Sequence, residues 1–124
     1  MFKERRGMGK YFIGNETKRI SFEDGEWVDI KEELTQEDSD YILNQLAKAS
    51  AVGDSKKPSA SVEVNLGKLA LLERAVVDWS FADEKGIKAP VTRDNLSKLR
   101  RKYRTRVLQE VNKLNEEAEA FAKN

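Results

Sequence analysis

Residues 71–99 read LLERAVVDWSFADEKGIKAPVTRDNLSKL, and the way this run is punctuated decides how the chain folds. It opens inside an apolar helical pattern and ends inside another. Between them, Asp83-Glu84-Lys85-Gly86 is a polar turn in which Gly86 is free to take positive φ. Pro90 bars helix before Val91, and Thr92 is placed to cap the helix after it. The run therefore reads as a corner of fixed geometry that sets how two helices cross. Upstream, NLGKLALLERAVVDW (65–79) carries nine apolar residues in fifteen, distributed nearly all round, as expected of a central buried helix over 65–79. Downstream, Leu96, Leu99, Tyr103, Val107, Val111, Leu114, Ala118 and Phe121 recur in steps of three and four. That spacing predicts one unbroken helix over 93–121, of about seven turns.

Nearer the N-terminus, KRISFEDGEWVDI holds two β-prone runs around Asp24-Gly25. A two-residue turn there predicts a hairpin over 18–30 with Phe22 opposite Trp27. Thr35 with Asp38 three positions on approximates a capping box, followed by Ile42, Leu46 and Ala49 at helical spacing, so a helix is expected over 35–49. Residues 1–17 read as a flexible basic arm, and the Gly-, Ser-, Lys- and Pro-rich stretch 50–60 reads as a mobile loop. The fold class expected is α+β, mainly α: one domain over 18–124, with a β-hairpin followed by three helices, the last one long.

The 124 residues are 39% apolar and 36% charged, with 23 basic against 22 acidic side chains. Bulk charge therefore points to no polyanionic partner, and any attraction has to come from local segregation. Cysteine and histidine are both absent, which removes thiol nucleophiles, disulfides and Cys- or His-based zinc sites. GMGKYFIG (7–14) lacks the spacing of a phosphate-binding loop. No run approaches the roughly 20 apolar residues of a membrane span. A cytoplasmic, non-enzymatic protein without catalytic residue, cofactor or metal is expected.

Charge is nevertheless segregated along the chain. Nine acids and one base lie between Glu23 and Asp40, and six bases with no acid between Lys98 and Arg106. The acidic spacing fits no calcium loop. Lys98, Arg100, Arg101, Lys102, Arg104 and Arg106 would be the contacts of a nucleic-acid-binding protein. On a helical wheel, however, they surround the stripe without forming one face. The simpler reading is a solvated surface facing the acidic half of the same chain, or of a neighbour in a homo-oligomer. Trp79 and Phe81 suit core packing at the corner better than partner docking.

The run 71–99 also resembles a region of the tail assembly chaperones of long-tailed, siphovirus-like bacteriophages. The likeness is carried by Val76 and Trp79, by Asp83, Glu84 and Gly86, and by Pro90, Val91, Thr92, Asn95 and Leu96. FEDGEWVDIKEELTQED (22–38) is similar to the hairpin near the start of such proteins, and together these cover about half the chain. The resemblance implies an assembly factor that coats the aggregation-prone tape measure protein until tail tube subunits polymerise around it. Leu66, Leu69, Trp79, Phe81, Leu99, Tyr103 and Val107 are the candidate partner-binding residues, because a binder of amphipathic helices needs an apolar groove with a charged rim. The alternatives are nucleic-acid binding through 98–106, or another structural protein of the phage neck or tail.

Overall fold

In a computed structural model of the chain, the described residues are 11–52 and 60–123. They form β1 (Thr17–Ser21), β2 (Trp27–Lys31), α1 (Gln36–Val52), α2 (Ala60–Ala75), β3 (Val76–Trp79), α3 (Arg93–Lys98) and α4 (Arg101–Lys123). This is an α+β architecture, mainly helical. The strands make one antiparallel sheet in the order β1-β2-β3. One face of it carries Ile20, Val28, Ile30, Val76 and Trp79, which pack with Leu72 and Ala75 of α2, Leu96 of α3, and Val107 and Val111 of α4. The other face is polar. There Arg19 lies directly opposite Asp29, bonds it at 2.8 Å, and covers the Trp27 ring at 3.7 Å. Most of the expected arm (1–10) and loop (53–59) lies outside the described residues, but the described ends of that loop are helical, 50–52 in α1 and 60 in α2, so the central helix starts five residues before the expected 65.

The structure corrects the sequence reading at three elements. The hairpin is present, but its loop has three residues. The Phe22 carbonyl accepts from the Gly25 N–H at 3.0 Å, and the Phe22 N–H donates to Glu26 at 2.8 Å. Gly25 takes the positive φ of 88°. Phe22 thus faces Glu26 instead of Trp27, the outcome when the turn closes through one left-handed residue after it.

The central helix does not reach Trp79. It stops at Ala75, and Val76–Trp79 is a third strand, with Val28 paired to Trp79, Asp29 to Asp78 and Ile30 to Val76. Val76 and Val77 are β-branched and stiff at χ1, which suits a strand better than a helix end. Val76 and Trp79 are three apart and would point to opposite faces of a regular strand. The register shift leaves Val77 as the extra residue, 48% exposed, and turns Val76 and Trp79 both into the core.

The last helix is broken. α3 ends at Lys98, and Leu99 adopts an extended conformation, with ψ 134°. The Tyr103 N–H donates to Arg100 at 3.0 Å, and the Leu99 carbonyl accepts from the Arg104 guanidinium at 2.9 Å. A side chain thereby replaces the lost backbone bond. The apolar stripe survives the break, since Leu96, Val107 and Val111 are all buried.

Other expectations are met. Thr92 caps α3 by accepting from the Asn95 N–H at 3.2 Å, and Gly86 has φ 81°. The capping box of α1 closes in both directions, Asp38 N–H to Thr35 Oγ1 at 3.1 Å and Thr35 N–H to Asp38 Oδ2 at 2.9 Å.

Candidate functional site: a cation-rimmed cleft

The corner over 80–92 is a small β-like excursion. Ala89 N–H donates to Phe81 at 3.0 Å, and Asp83 N–H to Ile87 at 2.8 Å. The Asp83 carboxylate also accepts from the Lys85 and Ile87 N–H groups at the tip. The excursion is tied back by Trp79, whose indole N–H donates to the Ala89 carbonyl at 2.7 Å, and by Asn95, which bonds the Pro90 carbonyl at 2.8 Å. Chain direction into α3 is therefore set by side chains on either side of the excursion.

That placement brings α3 and the first turn of α4 against α2 and leaves a cleft of about 360 Å³ between them. Leu69, Leu72 and Leu96 form its floor, and Lys68, Ser97, Arg101 and Arg104 its rim. Leu72 and Leu96 are fully closed off at 0% and 1% exposure, whereas Leu69 is half-buried. No carboxylate lines the opening. Among the described residues no ion pair involves any of the three cations, while nearby bases are matched, Lys98 with Asp94 at 3.0 Å and Arg106 with Glu110 at 3.3 Å.

The expected partner-binding residues divide between cleft and core. Trp79 and Val107, at 1% and 0% exposure, are core residues and touch nothing outside the fold. Phe81 and Tyr103 are half-buried in an aromatic cluster with Phe22. The Tyr103 ring meets Phe22 at 4.8 Å and Phe81 at 5.1 Å, both edge-on. The Tyr103 hydroxyl donates to Asp24, which raises the phenol and lowers the carboxylate from their ordinary pKa values. Leu99 is half-buried at the α3–α4 break and Leu66 half-buried on α2. Leu69 alone of the seven lines the cleft.

The basic block scatters. Lys98 and Arg106 are neutralised within their own helices. Lys102 lies over the Tyr103 ring at 5.4 Å, and Arg100 is exposed before α4. Only Arg101 and Arg104 converge, and they do so with Lys68 of α2, which sequence reasoning missed. A lysine on a helix carries no mark of which neighbour its face will meet.

Among the described residues no group of three or more His, Cys, Asp or Glu side chains is placed to hold a metal, and no helix is long and apolar enough to cross a membrane. Comparisons with family models, curated proteins and solved structures yield no match.

Proposed function

We propose that this protein is a non-enzymatic binding module that docks helical segments of a partner through the cleft between α2 and the α3–α4 junction. The observation that carries the reading is the cleft itself, an apolar floor around Leu69 ringed by charged side chains. Such a site takes an apolar anchor from an amphipathic helix and keeps its own rim hydrated when empty. The resemblance across 71–99 supplies the client, the tape measure protein of a long-tailed phage, held soluble in the host cytoplasm until tail tube protein assembles on it.

Co-expression with tape measure fragments tests this. Fragments insoluble alone are expected to remain in the supernatant and co-purify with the protein, and Leu69→Asp, which puts a charge on the cleft floor, is expected to release them. Fragments that stay insoluble in its presence, together with steeply salt-dependent DNA binding, would instead make the basic residues the functional element.

A further inference from the structure

We infer that the segment seated in this cleft is an acidic amphipathic helix, with an apolar side chain in the opening and carboxylates on Lys68, Arg101 and Arg104. The inference rests on the helix-binding reading and adds the chemistry of what is bound. At about 360 Å³ the opening admits one or two large apolar side chains, not a whole helix, so the rest of an occupant must lie along the rim. That rim is cationic without any acid among the lining residues. A basic or neutral helix would leave it uncompensated, whereas one with Glu or Asp three or four positions from its apolar anchor would set both on the same face.

The charge is not explained by helix stability. The first turn of α4 has no acidic residue, and Arg101, Lys102 and Arg104 stand at the end of the helix dipole that disfavours cations. Arg104 is also pre-positioned. One of its N–H groups is held by the Leu99 carbonyl at 2.9 Å, and the remaining donors of its fork are of the kind that takes a carboxylate in two parallel bonds. A nucleic acid suits the opening less well, because no aromatic ring lines it and base stacking would have no platform.

The test uses the intact protein and three synthetic amphipathic peptides of about 20 residues, long enough to hold helix. They share their leucine positions and differ only in carrying Glu, Gln or Lys beside them. The Glu peptide is expected to bind about tenfold tighter than the Gln peptide at about 50 mM salt, with the margin shrinking at about 200 mM. The double variant Lys68→Glu/Arg101→Glu, at two exposed positions, is expected to keep its circular dichroism and melting profile and to shift preference to the Lys peptide. Equal binding of the Glu and Gln peptides, or no effect of the double variant, overturns the inference. If tape measure fragments are still solubilised in that case, the helix-binding function stands without the charge reading. If no peptide binds and the fragments stay insoluble, both fall. Tight DNA binding abolished by the same double variant would overturn the inference by assigning the cations to phosphate.

Discussion

Asp38 is wholly buried yet ionised, because donors from three elements surround it. Burial alone would raise its pKa. The Thr35 N–H, the Lys31 ammonium at 3.0 Å and the Arg74 guanidinium at 2.8 Å outweigh that and hold it at about 2. A carboxyl lowered on folding adds stability above its unfolded pKa near 4, and that stability is lost as pH falls from about 4 to 2. With about 1.4 kcal/mol per unit, the loss is about 2 kcal/mol. Urea denaturation between pH 7 and pH 2 is expected to show it, and Asp38→Asn to be less stable at pH 7 and flatter across that window. The Thr35–Asp38 box was legible in the sequence because capping is local. Lys31 and Arg74 as partners were not, since they arrive through the sheet and α2. Trp79 is the other decisive residue. Trp79→Ala is expected to destabilise the protein by about 3–5 kcal/mol in chemical denaturation, removing both a core ring and the bond that ties down Ala89.

At the scale of elements, strands and helices were legible where their pattern was local and hidden where a tertiary partner decided. The hairpin was placed correctly from Asp24-Gly25, but its loop length depends on which residue takes the left-handed conformation. A Cβ at Gly25 would meet nothing within 4 Å, so Gly25→Ala tests backbone conformation alone. It is expected to cost about 1–2 kcal/mol, with Gly25→Asn costing less, as read by thermal unfolding. β3 was hidden inside an apolar run whose count suited a helix, and the paired β-branched Val76-Val77 was the overlooked signal. Deleting Val77 removes the extra residue and leaves Val76 and Trp79 two apart, on one face of a regular strand, with the pairing to Ile30 and Val28 intact. The expected outcome is that the near-ultraviolet tryptophan signal and the far-ultraviolet helix content are both kept, and loss of the tryptophan signal would show that the sheet needs the bulge for more than placing these two side chains. The α3–α4 break leaves no mark in the sequence, since neither Leu99 nor Arg100 disfavours helix strongly, and the cleft depends on that break.

Across the whole molecule, three members of the acidic block are taken up by separate partners in the sheet and helices. Asp24 meets Tyr103, Asp29 meets Arg19, and Asp38 is enclosed by Lys31 and Arg74. The aromatic cluster does the joining at this scale, since Phe22 closes the hairpin loop, Phe81 belongs to the corner and Tyr103 to α4. Phe22→Ala is expected to lower stability by about 1–3 kcal/mol for a half-buried ring. Tryptophan fluorescence and helix circular dichroism should still report one shared midpoint. Separate midpoints would mean that hairpin and helices fold independently.

The pairing of β2 with β3 also governs the order in which the protein can be made. Translation delivers β1 and β2 first, and a two-stranded hairpin is marginal in water. Its third strand arrives only after all of α1 and α2, and the part of the sheet's cover that comes from α3 and α4, Leu96, Val107 and Val111, comes later still. The nascent chain therefore has no stable resting place along the way. Protease resistance on stalled ribosomes should appear in a single late step, once α4 has cleared the exit tunnel.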